Sequence, residues 1–270
     1  MGMILVNASD PMHCLLLEEL GVRVYTAEEL CYCMIRYPLL FLDDYPSEQV
    51  LEFLELGAGE RMLAYQLREQ KKAGMKPEDL ILYTEEITGY LSRQESDQLK
   101  GRIQALRKLP DAEYLKQQAD LLFSLRRYGK AAKLYERILK LPDGSGLTAN
   151  LKGRILNNQG CAYANLFMND RACRAFEEAY TLLKDNTIRK RIYFLSLTEP
   201  VIGLRERYSA AAGSDIPPEW DAEYEEARLR AAEGPRRREI REIFEKDPVR
   251  RQQGTAELIR RWKQDYRSML

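Results

Sequence analysis

A single histidine, His13, occurs among 270 residues. That scarcity excludes a multi-histidine metal centre. Cysteine is sparse too: five residues at irregular spacing, which argues against a disulfide framework and for a reduced, cytoplasmic setting. His13, Cys14, Cys31 and Cys33 suggest zinc at first sight. Cys31 and Cys33, however, lie two positions apart on a predicted helix, so they face different ways and cannot both reach one ion. Long apolar runs are missing; stretches such as Leu39–Leu42 are far too short to cross a bilayer. The start, MGMILVNASDPMHC, lacks a basic segment followed by an apolar core, so no secretory signal is expected. Phosphate loops and nucleophile elbows are absent as well. LGAGE (56–60) has no third glycine and follows a helix, DGSG (143–146) has no lysine, and no G-x-S-x-G occurs. Acidic pairs such as Asp43–Asp44 and Glu85–Glu86 are common on helix surfaces and by themselves indicate no acid–base chemistry. With no site in view, no catalytic residue, no metal and no cofactor is expected, and the chain reads as a non-enzyme.

Apolar residues make up 45% and charged residues 31%, the balance of a folded globular chain. Formal net charge is zero, but its distribution is uneven. Residues 1–60 hold two basic residues, Arg23 and Arg36, against eleven acidic ones; residues 234–270 hold eleven basic against six acidic. Such asymmetry steers partners or favours head-to-tail self-association, although solvated faces are the commoner outcome.

Nearly every segment carries helical signals. Asp10, Pro11 and Gly21 frame a first helix. Thr26 and Glu29 form a capping box for a helix that Pro38 ends after Tyr37. Ser47 and Gly57 bound another, and further helices are predicted over 59–73, 77–89 and 92–109. Two short β-leaning stretches, MILV (3–6) and VRVY (22–25), are placed to pair in parallel around the first helix. After residue 111 helices come in pairs. AAAGSDIPPEW (210–220) reads as a linker, followed by charged helices over about 219–233, about 235–246 and from Thr255. The last carries an apolar stripe of Leu258, Trp262, Tyr266 and Met269.

An internal repeat organises the middle of the chain. Leu115, Ala119, Leu122, Tyr128, Ala131, Tyr135 and Ile138 form one unit; Leu156, Gly160, Tyr163, Asn169, Ala172, Phe176 and Ala179 form a second with the same spacing, 41 positions later. Small residues recur where helices must approach, and large apolar ones fill the space beside them. GCAYANLFMNDRACRAFEEAYTLL and YGKAAKLYERILKLP resemble the tetratricopeptide repeat (TPR) family over about residues 111–184. A third unit begins near Ile188, Ile192 and Leu195, with a second helix that departs from the pattern. The resemblance implies antiparallel helix pairs stacked as a TPR-like solenoid whose groove holds a peptide or a protein face. The chain is thus expected to be all-α, with a minor two-stranded β element near the N-terminus. It divides into an N-terminal helical module (1–110), the repeats (111–212) and a charged C-terminal cap (213–270).

Helical phase assigns the groove to Lys116, Asp120 and Phe123 of the first unit, Arg154, Asn157, Asn158 and Asn165 of the second, and Arg189, Lys190 and Tyr193 of the third. Amides and cations on such a wall suit peptide backbone and carboxylates. Some family members clamp a terminal carboxylate with Lys and Asn; here Asp120 stands where an Asn would be expected. A rival surface is the arginine cluster Arg236, Arg237, Arg238, Arg241, Arg250, Arg251, Arg260 and Arg261, with Trp262 and Tyr266 nearby. It would track nucleic-acid phosphates. Interleaved Glu239, Glu242 and Glu245 weaken it by pairing along the helix. The first reading is an adaptor or scaffold binding a protein or peptide; the second is a nucleic-acid-associated regulator.

Overall fold

The computed structural model describes residues 13–270. Asp10, Pro11 and the MILV stretch (3–6) lie outside the described residues. The chain divides into two compact units, one ending at Leu121 and the other spanning Leu122–Leu270.

In the first unit, strands β1 (Leu15–Leu17) and β2 (Val22–Val24) pair antiparallel, Leu15 opposite Val24. The stretch from Leu15 to Gly21 is therefore a hairpin and not the tail of a helix, and among the described residues VRVY pairs antiparallel. The reason lies in Gly21. Its left-handed backbone (φ 68°) makes the hairpin turn, donating its N–H to Leu17 O at 2.8 Å. A glycine of this kind ends helices and turns hairpins alike, so its signal was read for the wrong element.

Helices α1 (Ala27–Arg36), α2 (Glu48–Glu52), α3 (Arg61–Lys72), α4 (Pro77–Thr88) and α5 (Arg93–Arg107) complete most of this unit. The Thr26 hydroxyl accepts from Glu29 N at 3.2 Å, but the Glu29 carboxylate reaches back to Tyr25 N (2.7 Å) and not to the cap residue. The helix predicted from Ser47 to Gly57 changes pitch. α2 widens into a π turn at Phe53–Gly57, where Ala58 N donates to Phe53 O. Helix α6 (Asp111–Ser124) begins within this unit. There Tyr114 donates to Asp43 at 2.8 Å, and Gln118 donates to Asp43 and to Leu39 O.

The core is apolar, with Leu30, Met34, Leu51, Leu54, Leu67 and Leu80 fully enclosed, and it contains one polar cluster. Tyr45 and Thr84 hydrogen-bond at 2.8 Å, and the Thr84 hydroxyl also donates to Leu80 O. Cys31 meets Thr88 at 3.4 Å. Beside them Glu85 is 2% exposed, and neither carboxylate oxygen has a hydrogen-bond partner. Burial pushes the Glu85 carboxyl up from 4.5 to about 7, with the Cys31 side chain offsetting part of the rise.

The second unit is built from α7 (Tyr128–Ile138), α8 (Ala149–Asn165), α9 (Asn169–Leu183), α10 (Asn186–Thr198) and α11 (Ile202–Ala212), each packed on the next. The charged helices α12 (Pro218–Ala232), α13 (Pro235–Phe244) and α14 (Pro248–Met269) belong to the same unit. The core joins Leu156, Phe176, Ile188, Ile192 and Tyr208. At its centre the helix α8 carries Gly160. A Cβ there would lie 2.6 Å from two ring atoms of Phe176, so the absent side chain makes room for the aromatic one. The described residues are thus all-α with one small antiparallel sheet, and none of their helices is long and apolar enough to cross a membrane.

Two outcomes are expected. Gly160→Ala forces the Phe176 ring off its position and costs about 1–3 kcal/mol in denaturant unfolding. Glu85 binds its proton more tightly in the folded chain than in the unfolded one. Its stabilising contribution is complete below about pH 4.5 and is lost as pH rises through about 7. The loss is on the order of 3 kcal/mol. Glu85→Gln removes this slope, which unfolding measured between pH 5 and 8 will show.

Candidate functional site

The turn between α6 and α7 and the turn between α8 and α9 have the same construction. In the first, Arg127 N donates to Leu122 O (2.8 Å) and Arg126 N to Phe123 O (2.9 Å). In the second, Met168 N donates to Tyr163 O (2.9 Å) and Phe167 N to Ala164 O (3.1 Å). Both satisfy the last helical carbonyls through one left-handed residue, Arg126 (φ 60°) and Phe167 (φ 59°). These two residues are 41 positions apart, the offset of the sequence repeat. Gly74 closes α3 with the same bonds; at Arg126 and Phe167 a side chain is kept despite the strain.

The last turns of α14 run against both connections. Tyr266 donates to Leu166 O at 3.4 Å and Arg127 to Ser268 O at 2.5 Å, and the backbone of Leu270 lies on Gly129 with no room for a Cβ. A cleft of about 990 Å³ opens between these elements. Its aromatic walls are Tyr128, Phe167, Trp262 and Tyr266. Phe167 is 78% exposed and Trp262 42%. Its cations are Arg126, Arg236, Lys263 and Arg267, with Asp265 the only carboxylate in the lining. Among the described residues none of these four cations forms an ion pair. Exposed rings beside unopposed cations can hold a chain segment that carries carboxylates or carbonyls and one bulky apolar group.

The groove residues expected from sequence fall into three groups. On α6, Lys116 and Asp120 pair with each other at 2.5 Å, and Phe123 packs edge-on against Tyr128. On α8, Arg154 is exposed, Asn157 bonds Asn158 and accepts from Arg191, and Asn158 is half-buried. Asn165 bends back to Cys161 O at 2.9 Å and lines the cleft. On α10, Arg189, Lys190 and Tyr193 are engaged by α12.

The arginine cluster does not form one patch. Every member is exposed, but Arg250 pairs with Asp247, Arg260 with Glu257 and Arg261 with Glu239. Arg238 and Arg251 donate to the backbone carbonyls of Glu233 and Lys246. Of the cluster, Arg236 alone lines the cleft; Arg237 and Arg241 form no ion pair among the described residues.

Sequence reasoning did not single out Arg126, Phe167, Lys263 or Arg267, and it read Tyr128 only as a packing residue of the repeat. The available signal was the equal offset of Arg126 and Phe167 within the repeats. Among the described residues no group of three or more His, Cys, Asp or Glu side chains is arranged to hold a metal, and all five cysteines are free thiols.

Phe167→Gly is expected to raise stability by about 1 kcal/mol, since glycine adopts the left-handed conformation without strain. A shift of the urea midpoint at unchanged slope will register it. Compared with protein-family models, with curated proteins and with solved structures, the chain matches none.

Proposed function

We propose that this chain is a non-enzymatic protein–protein interaction module, an adaptor or scaffold whose α6–α11 region is a TPR-like stack of helix pairs. The observation that carries the proposal is the repeated turn. Two helix pairs with matching residue spacing close with matching hydrogen bonds around residues 41 positions apart. Stacked pairs of this kind bury a continuous core and leave extended surfaces for partners. The binding surface is the cleft of Arg126, Phe167, Trp262 and Lys263, continued by Arg154, Asn157 and Asn165 on α8. Exposed aromatic side chains and unpaired arginines are the residue types that dominate binding energy at protein interfaces. The free thiols fit a reducing cytoplasm.

A nucleic-acid reading draws on Arg236, Lys263 and Arg267 beside Trp262 and Tyr266. It is the weaker one, because three arginines of α14 pair with neighbouring carboxylates and interrupt the cluster. A single strand needs a continuous track of cations.

The test is capture from lysate of the native cell with the full-length chain as bait, with and without nuclease. A protein retained in near-stoichiometric amount after nuclease, and lost with Arg126→Glu plus Lys263→Glu, is expected. Both substitutions are on exposed positions and leave the core untouched. Capture abolished by nuclease, and falling steeply with salt, supports the nucleic-acid reading and rejects the adaptor.

A further inference from the structure

Helix α12 is acidic and carries two aromatic residues one turn apart. Trp220 and Tyr224 stand among Glu219, Asp221, Glu223, Glu225 and Glu226. These groups meet complementary ones on α10. Tyr193 donates to Asp221 at 2.5 Å, and Lys190 donates to both carboxylate oxygens of Glu223 at 3.0 and 2.8 Å. The Trp220 ring lies 6.0 Å from that of Tyr193, with the Arg189 guanidinium 5.5 Å away over the indole. Tyr224 packs beside Phe194 at 6.0 Å and donates to Leu197 O. Arg189, Lys190 and Tyr193 are the residues that the repeat pattern assigns to a partner. That face therefore already has an occupant, and the occupant comes from this chain.

The hold is slight. Of the fifteen residues of α12 only Trp220 is buried. The Lys190–Glu223 pair is open to solvent, with side-chain exposures of 28% and 52%, and pairs of that kind contribute little. No apolar stripe continues along the helix beyond the two aromatic residues. Non-helical chain separates α12 from α11, and Gly234 separates it from α13. A segment anchored by one buried side chain belongs to the least stable part of a fold and opens ahead of the rest.

We infer that the face of α10 bearing Arg189, Lys190 and Tyr193 is a docking surface for acidic helices with aromatic residues at i and i+4, and that α12 is its resident, displaceable occupant. This rests on the reading of α6–α11 as partner-binding repeats and names the chemistry that one of their faces accepts. The cations select against basic segments, and the aromatic pair sets the helical register. Because α12 is tethered, a partner of the same chemistry must outcompete a high local concentration of it. Binding at this face is thereby held back until a stronger or multivalent ligand arrives.

The experiment titrates a fluorescein-labelled synthetic peptide of residues 216–233 into the full-length chain and into its Trp220→Ala, Tyr224→Ala variant. The variant, with a circular dichroism spectrum matching wild type, is expected to bind at least about tenfold more tightly, because its own helix no longer competes. Adding Lys190→Glu to the variant removes the gain, and a peptide carrying Glu223→Lys restores it. Equal binding to both proteins, or no binding to the folded variant, overturns the inference. If the double variant fails to fold, hydrogen exchange on the unmodified chain decides. Amides of α12 are expected to exchange at least about tenfold faster than those of α10, and equal protection overturns the inference. The peptide comes from this chain and binds away from the cleft, so its failure leaves the capture test intact, and the converse also holds.

Discussion

The second unit depends on how closely α8 and α9 approach at Gly160. The Phe176 ring occupies the volume that any larger residue at position 160 would claim. Dispersion falls off over fractions of an ångström, so that spacing is worth keeping only if no side chain intervenes. Once the pair is set, Leu156, Ala172 and Ala179 complete one face, and Ile188 and Ile192 of α10 extend the same core. Between α8 and α9 the chain reverses within Leu166–Met168, where Phe167 is left-handed with its ring facing solvent at the mouth of the cleft. Arg126 makes the same turn after α6, so the turn does not depend on a glycine at the helix contact.

Electrostatics in this unit follows from which charges find partners. The basic excess of residues 234–270 does not become a uniform field. Asp247, Glu257 and Glu239 pair with arginines of α14, while Arg236, Lys263 and Arg267, around Trp262 and Tyr266, form no ion pair among the described residues. Likewise the acidity of α12 is spent locally, Glu223 on Lys190, Asp221 on the Tyr193 hydroxyl, and Glu225 and Glu226 on Arg228 and Arg230 of the same helix. Cations without a carboxylate partner therefore gather where a ring lies alongside, and not where sequence charge density is highest.

The first unit carries a different constraint. Its helices enclose Glu85 with Cys31, Tyr45, Thr84 and Thr88, and desolvation raises the Cys31 thiol and the Tyr45 phenol along with the carboxyl. All three groups are thus held in their neutral forms at low pH, which lets a polar cluster survive among leucines. Position 85 in sequence looks like one of an ordinary acidic pair with Glu86. Only the packing of α4 against α1 distinguishes the buried member from the exposed one.

Local chemistry was legible where it acts within one turn of chain. The Thr26 and Ser47 caps, the breaks at Gly74 and Gly89, and the proline starts of α4 and α12 all lie where the residues indicate, because capping and backbone conformation depend on neighbours in sequence. Periodicity likewise placed the paired helices, but of the Leu258–Met269 stripe only Leu258 is buried, and its helix begins at Pro248 and not at Thr255. The hairpin at Leu15–Val24 was misread because Gly21 serves two kinds of turn, and strand pairing is decided by a partner the local sequence does not name. The cleft was legible in fragments only: Asn165, Arg236, Trp262 and Tyr266 were noted, but as parts of two separate surfaces. What sequence by itself determined is the repeat spacing and most of the helices and breaks that follow Thr26, since these follow from near-neighbour forces. Tertiary structure alone decided which charges are neutralised, which carboxyl is buried and which face of α10 is covered, because each depends on side chains brought together from distant parts of the chain.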